Sequence, residues 1–199
     1  QPVEQAGDLI KKEAGIFICD ATQAIGRVDL SLKTANADAL FFSSHKLGGP
    51  AGAGALIFAS DDLSLQDILI KGGGQEAGRR AGTENIPAIV GFAAAFKSAL
   101  RDLTTEKPRL QHLQKEIESY LSSVASSHIV FGQKSPRSPN TVAFAIPEID
   151  SQTLLMALDL AGVAVSSGSA CSSGKVKESH VLNAMGMREK SALRISLGW

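Results

Sequence analysis

The sequence carries no excess of charge of either sign, because Lys and Arg together number 20 and Asp and Glu together number 20. A chain without net charge lacks the field that draws proteins to nucleic acid or to acidic lipids. Its longest apolar runs have the length of a strand and fall far short of a membrane span. No basic segment followed by an apolar one stands at the start, as it would in a secretion signal. We therefore expect a protein that binds neither nucleic acid nor membranes.

Cysteine is also scarce, with 2 residues that stand in unlike surroundings. Cys19 lies in an apolar segment, where a cysteine behaves as a small buried hydrophobic residue. Cys171 lies in SSGSACSSG, which has no bulky side chain and predicts an exposed, mobile thiol with a nucleophilic or redox role. Two unlike cysteines argue against a disulfide and favour a reducing compartment, for which we expect the cytoplasm, with the mitochondrial matrix as the alternative. No second cysteine or histidine stands at ligand spacing from Cys171, so no metal site is expected.

Apolar periodicity predicts an α/β protein. Helices that alternate with near-continuous apolar strands are typical of a mostly parallel sheet that is buried on both faces. Further along, Pro108 is expected to separate two helices, and a smaller α+β domain follows. We place the domains at residues 1–105 and 106–199. The predicted helices cover residues 2–14, 86–103, 109–124, 151–160 and 178–185, and the predicted strands cover residues 16–19, 38–42, 53–58, 128–131, 141–146, 163–165 and 192–197.

The segment FFSSHKLGGPAGAGAL, residues 41–56, joins two predicted strands and contains Lys46. A lysine before a glycine-rich turn is most often a surface residue. At the end of a buried strand it can instead lose its proton through desolvation, and a neutral amine can form a Schiff base. Asp20 ends the preceding predicted strand, where it could be an ordinary capping residue. Together with Lys46 it would match the carboxylate that holds the ring nitrogen in pyridoxal phosphate enzymes.

Two arginine-bearing segments could bind anions. Residues 72–85, GGGQEAGRRAGTEN, form a long glycine-rich loop whose adjacent arginines suit a phosphate or a carboxylate. A solvated surface loop is equally compatible with that composition. Asn85 or Thr83 is expected to cap the following helix. Arg194 stands in the last predicted strand on the face opposite the apolar side chains, where it could be solvated or could hold a substrate carboxylate.

Five short segments stand in an order that matches a known family. They are D-A-T-Q at residues 20–23, S-S-H-K at 43–46, G-G-G-Q-E-x-G-x-R-x-G-T-x-N at 72–85, S-S-G-S-A-C at 166–171 and R-I-S-L-G at 194–198. Together they closely resemble the cysteine desulfurases of the NifS/IscS type, which are pyridoxal-phosphate enzymes of the class V aminotransferase group. The resemblance implies part of a fold-type I transferase. Residues 1–105 would be the C-terminal half of the large cofactor-binding domain, and residues 106–199 a small α+β domain truncated at its end.

The resemblance also implies roles around the cofactor, pyridoxal 5'-phosphate. Lys46 would hold the cofactor covalently and later move the Cα proton of the substrate. Asp20 would hold the pyridinium nitrogen, and Gln23 would bond the phenolic oxygen of the ring. Ser43 and His45 would bind the cofactor phosphate.

The remaining implied roles concern the substrate and the partners. Thr83 would reach the phosphate from the partner subunit of a homodimer. Arg194 would bind the carboxylate of L-cysteine. Cys171 would attack the substrate sulfur, which gives an enzyme persulfide and releases alanine. A sulfur-acceptor or scaffold protein would then take the sulfur for iron–sulfur cluster or thiolated cofactor synthesis.

The sequence departs from the family at two positions, with Ala81 where serine is frequent and Ala51 where lysine is common. It also opens inside a helical pattern without a methionine, and the family has further cofactor-binding residues before the point where this sequence starts. We therefore expect a piece of a longer protein that is inactive alone. The alternatives are a related class V enzyme such as a selenocysteine lyase, and a non-catalytic subunit. A glycine-loop nucleotide binder is disfavoured because neither G-x-G-x-x-G nor G-x-x-x-x-G-K-[ST] is present.

Overall fold

The structure is a computed structural model that describes residues 2–63, 67–167, 180–187 and 192–198. The chain divides into two units, Gln1–Thr104 and Thr105–Trp199. That these units are half of a large domain and a small domain stays a prediction. The elements are α1 (Val3–Lys12), β1 (Ile18–Asp20), α2 (Leu32–Ala35), β2 (Ala39–Ser43), β3 (Gly54–Phe58), α3 (Ile86–Val124), β4 (Ile129–Val130), β5 (Thr141–Ala145), α4 (Ser151–Leu160), β6 (Ser166–Ser167), α5 (His180–Ala184) and β7 (Leu193–Ser196).

A three-stranded sheet in the order β1-β2-β3 forms the centre of the first unit. β1 and β2 run parallel, whereas β3 runs antiparallel to β2. The short helix α2 lies in the connection that parallel strands require, and Ser31 and Thr34 begin it with a reciprocal capping box. The α/β class predicted from the periodicity is therefore present, with a mixed sheet.

One face of this sheet is covered. Phe42 of β2 is 5% exposed, and its ring stacks on that of Phe96 with a centroid separation of 5.5 Å. Phe92 packs edge-on against the same ring at 5.7 Å, so α3 covers this face with aromatic side chains. Ile18 and Phe41 point to the opposite face and are 52% and 41% exposed. Among the described residues α3 covers one face of the sheet, so the burial of both faces stays a prediction.

The second unit contains an antiparallel sheet in the order β4-β5-β7-β6. Val142, Phe144 and Leu193 form its buried core together with Leu121 of α3. The Oδ1 atom of Asp150 accepts hydrogen bonds of 3.1 Å from the N–H groups of Gln152 and Thr153 and begins α4.

Two predicted elements are wrong. Pro108 does not separate two helices, because α3 continues through it. A proline inside a helix removes a single backbone hydrogen bond at a cost of about 3 kcal/mol, and the burial of Leu103 and Leu110 on either side offsets that cost. Residues 163–165 form no strand. The N–H of Val163 bonds to the carbonyl of Leu158 at 2.8 Å, as the end of α4, and the strand begins later, at β6.

Candidate active site

Lys46 lies in a tight turn directly after β2. The residues Ser44–Leu47 form one turn of 3₁₀ helix, in which Ser44 and Leu47 are 0% and 4% exposed. The N–H of Ser44 donates to the carbonyl of Ala53 at 3.0 Å. A Cβ at Gly49 would lie 2.3 Å from the Ser44 hydroxyl, so only glycine fits there. The turn is therefore held on both sides of Lys46, whose own side chain is exposed.

Asp20 lies at the same edge of the sheet. It is the last residue of β1, and its register partner in the parallel strand β2 is Phe41, two residues before that strand ends. The carboxyl ends of parallel strands meet at one edge, which is where open α/β sheets bind ligands. The Oδ1 atom of Asp20 accepts a hydrogen bond of 2.8 Å from the N–H of Thr22, so the carboxylate has a fixed orientation. The structure thus brings the predicted acid and the predicted amine to one sheet edge.

Three more predicted cofactor residues lie at this edge. Ser43 ends β2, and its Oγ lies 2.7 Å from Nδ1 of His45. Because the hydroxyl and the imidazole share one hydrogen bond, the pair has one further N–H or O–H group that can donate to a phosphate. Gln23 lies in the turn after β1 and is exposed, as is His45.

Cys19, the residue before Asp20, is buried and free of any disulfide. Burial, and secondly the negative charge of Asp20, raise the pKa of the Cys19 thiol. The thiolate is the reactive form of cysteine, so this residue is unsuited to nucleophilic chemistry. The prediction that Cys19 is a structural residue is confirmed.

The glycine-rich loop of residues 72–85 uses its arginines to hold itself in place. The guanidinium of Arg79 lies 5.0 Å above the ring of Phe58. Nη1 of Arg80 donates to the carbonyls of Gly82 and Thr83 at 3.0 and 3.3 Å. These contacts position Thr83, whose predicted role at a phosphate stays a prediction. The loop ends at Asn85, whose Oδ1 accepts a hydrogen bond from the N–H of Ala88 and confirms the predicted helix cap.

Arg194 belongs to the second unit, where it lies in β7 between β5 and β6. The Ser166 hydroxyl donates to its carbonyl at 3.4 Å, and its own Nε is buried without a partner among the described residues. A buried guanidinium donor without a partner is costly, and a planar acceptor such as a carboxylate would satisfy it. Cys171 lies outside the described residues.

Arg27 contacts the lysine-bearing turn, although the sequence did not predict it as a site residue. It lies in the turn after β1, and its Nη2 donates to the carbonyl of Lys46 at 2.8 Å. A lone arginine beside a glycine has no pattern that separates it from a surface residue, so no signal in the sequence could have identified this contact.

The donor set at the edge of the first sheet fits pyridoxal phosphate. An amine can bond to the aldehyde, a carboxylate with one oxygen already oriented can accept a hydrogen bond from the ring nitrogen, and a hydroxyl–imidazole pair can bind the phosphate. These groups come from the carboxyl ends of the neighbouring strands β1 and β2 and from the turn that follows β2.

An apolar groove of about 510 Å³ in the second unit is a different kind of feature. Tyr120, Val124 and Leu158 line it with other apolar side chains, and Glu116 is its charged residue. This groove has neither a nucleophile nor an acid–base pair among its lining residues, so it is not part of the candidate active site. Among the described residues, no group of three or more side chains could hold a metal ion. Within the same ranges, no helix has the length and hydrophobicity that a membrane span requires.

Comparison with known proteins gives one consistent family. The family model described as aminotransferase class-V matches residues 1–199. The cysteine desulfurase IscS of Clostridium botulinum is 39% identical over 203 residues, which are 100% of this chain and 51% of that protein. A cysteine desulfurase of Trichormus azollae is 39% identical over 186 residues, which are 94% of this chain and 46% of that protein. The chain thus spans about half the length of the curated relatives it matches.

Solved structures with a similar fold are consistent with the same family. A NifS-like protein from Rickettsia africae superposes with a TM-score of 0.86 at 34% identity, over 98% of this chain and 52% of that one. A structure described as SspA in complex with cysteine superposes with a TM-score of 0.75 at 28% identity, over 99% of this chain and 54% of that one.

Proposed function

Since this chain belongs to the aminotransferase class-V family, we propose that it is part of a pyridoxal-phosphate-dependent cysteine desulfurase. One observation carries the proposal. Asp20 ends β1 and Lys46 follows the parallel neighbouring strand β2, so both lie at one sheet edge, as a carboxylate and an amine that serve one pyridine ring must. The cysteine desulfurases among the relatives support the substrate.

Each residue of the sheet edge has a separate task in this proposal. The bound cofactor supplies an electron sink that makes the groups around the substrate Cα reactive. Lys46 binds the aldehyde through Nζ and later moves the proton of the substrate Cα. The Asp20 carboxylate accepts the hydrogen bond of the ring nitrogen, while the Thr22 N–H keeps it oriented. Ser43 and His45 together bind the phosphate.

Three further residues have proposed roles of their own. Gln23 donates to the phenolic oxygen of the ring. Thr83 binds the phosphate bound to the other subunit, which makes a homodimer part of the proposal. The unpaired Nε of Arg194 supports its assignment to the carboxylate of L-cysteine.

Cys171 is the proposed sulfur carrier. The overall reaction converts L-cysteine and the Cys171 thiol into L-alanine and a Cys171 persulfide. The carbon–sulfur bond of the substrate breaks as the sulfur–sulfur bond forms, so no external oxidant is needed. We further propose that an acceptor or scaffold protein takes this sulfur in the cytoplasm, for iron–sulfur clusters or thiolated cofactors.

The test uses the complete protein loaded with pyridoxal phosphate. Incubation with L-cysteine and a thiol reductant should yield alanine and sulfide in equal amounts. Lys46→Ala should abolish both products, and Cys171→Ala should abolish them with L-cysteine. Alanine production that survives in the Lys46→Ala protein, or a wild-type protein that makes no alanine, would overturn the proposal.

A further inference from the structure

The turn after β1 contacts the lysine-bearing turn through a polar bond. Nη2 of Arg27 donates to the carbonyl of Lys46 at 2.8 Å, across 19 positions of sequence. The backbone on the donor side is itself held, because the N–H groups of Arg27 and Val28 both bond to the carbonyl of Ala24 at 3.0 Å. The contact therefore joins two structured segments.

A second, apolar contact lies beside the first. Gly26 has a φ of +72°, and a Cβ there would lie 2.6 Å from Cδ2 of Leu47. Leu47 follows Lys46 and is 4% exposed. The turn that begins at Asp20 thus approaches both Lys46 and its neighbour, through a hydrogen bond to one and through van der Waals contact with the other.

The chemistry of the Arg27 side chain argues against a role in packing alone. Its Nη1 is buried and has no partner among the described residues. A buried donor without a partner destabilises a fold, and partial burial already disfavours the charged form and lowers the pKa of Arg27. A leucine or methionine would fill the same space without this cost. What a guanidinium adds here is a strong, charge-assisted bond to the Lys46 carbonyl.

We propose that Arg27 is a positioning residue that holds the backbone of Lys46 at a fixed separation from Asp20. At that separation the Lys46 amine can bond to the cofactor aldehyde while the Asp20 carboxylate accepts a hydrogen bond from the ring nitrogen. This inference rests on the proposed function, because it takes Lys46 and Asp20 as the two cofactor contacts. Arg27 touches neither cofactor nor substrate in this scheme and acts through the backbone of the lysine.

The experiment compares two ligands on the complete protein. Pyridoxal phosphate can bond covalently to Lys46, whereas pyridoxamine phosphate has the same ring and phosphate but no aldehyde. Arg27→Met should weaken pyridoxal phosphate binding about tenfold, which corresponds to about 1.4 kcal/mol. Pyridoxamine phosphate affinity and the melting temperature of the cofactor-free protein should stay unchanged. Arg27→Lys, which retains a charged donor, should recover most of the lost affinity.

A matched control uses Arg101, a residue of α3 whose guanidinium pairs with Asp102 at 2.7 Å and is largely exposed. Arg101→Met should leave the affinity for both ligands unchanged. Equal losses for the two ligands in Arg27→Met, together with a lower melting temperature, would make Arg27 a structural residue and overturn the inference. Unchanged binding of pyridoxal phosphate would overturn it as well. A wild-type protein that binds neither ligand would instead refute the proposed function, and this inference with it.

Discussion

Gly26→Ala in the complete protein tests the contact between the two site-bearing turns. The residue has a φ of +72°, which an alanine adopts only under strain, and a methyl group added there would meet Cδ2 of Leu47 at 2.6 Å and Cβ of Ala99 at 3.1 Å. Leu47 and Ala99 are 4% and 2% exposed, so neither has free space into which to move. The substitution therefore carries two separate costs, backbone strain and a steric clash.

Each cost has a known scale. A left-handed backbone costs an L-residue about 1 kcal/mol relative to glycine. Forcing an extra methyl group into a packed core costs about 1–3 kcal/mol. Gly52→Ala isolates the cost of backbone strain, because Gly52 has a φ of +84° and no atom lies within 4 Å of the position of its Cβ. We expect a loss of about 1 kcal/mol in the control and about 2–4 kcal/mol for Gly26→Ala.

Urea denaturation of the two variants and the wild type measures this difference as free energy of unfolding. Because Leu47 must shift for the new methyl group to fit, Gly26→Ala should also weaken pyridoxal phosphate binding, whereas Gly52→Ala should not. Equal losses of stability in the two variants would refute the close approach of the turn at Gly26 to Leu47.

Three further predictions concern reactivity, stability and dependence on the rest of the protein. At pH 8.5 Cys19 should be alkylated far more slowly than Cys171, because its raised pKa keeps it a neutral thiol where an ordinary cysteine begins to ionise; peptide mass spectrometry after iodoacetamide treatment measures both. Glu118→Ala should lower the free energy of unfolding in urea by about 3 kcal/mol, since it leaves the largely buried Arg137 unpaired. Glu116→Ala, on the exposed side of the same helix, should lower it by under about 0.5 kcal/mol. The 199-residue chain alone should release no alanine from L-cysteine, and turnover by a purified preparation would contradict this.

Local signals account for the parts of the fold that sequence predicted well. Apolar runs bounded by polar residues located β1, β2 and β3, and Asn85 and Asp150 cap their helices through side-chain oxygens whose chemistry is readable in any sequence. The placement of Asp20 and Lys46 at one edge followed from the same runs, because it needs only the order of two parallel strands.

Tertiary contacts account for the parts that sequence could not supply. The arginines of the glycine-rich loop were candidates for an anion site, yet Arg79 stacks on Phe58 of a strand well upstream and Arg80 bonds to its own loop. Pro108 was expected to end a helix because the helix propensity of proline reflects its lost hydrogen bond. Propensity does not include the burial of Leu103 and Leu110 on either side of it. Arg27 donates to a backbone carbonyl 19 residues away. Every residue has such a carbonyl, so the sequence cannot show which one an arginine will contact.

The described residues orient the polar groups of the proposed site but do not exclude water from them. Asp20, His45 and Lys46 are all exposed, and on the same sheet Ile18 and Phe41 present an uncovered apolar face. Electrostatic contacts to a cofactor strengthen when water is excluded, and nothing among the described residues excludes it here. Orientation of the groups, through the Thr22 bond to Asp20 and the Arg27 bond to Lys46, nevertheless lies wholly within this unit. Cofactor recognition should therefore depend on these two bonds, whereas turnover should depend in addition on a protein surface that covers them.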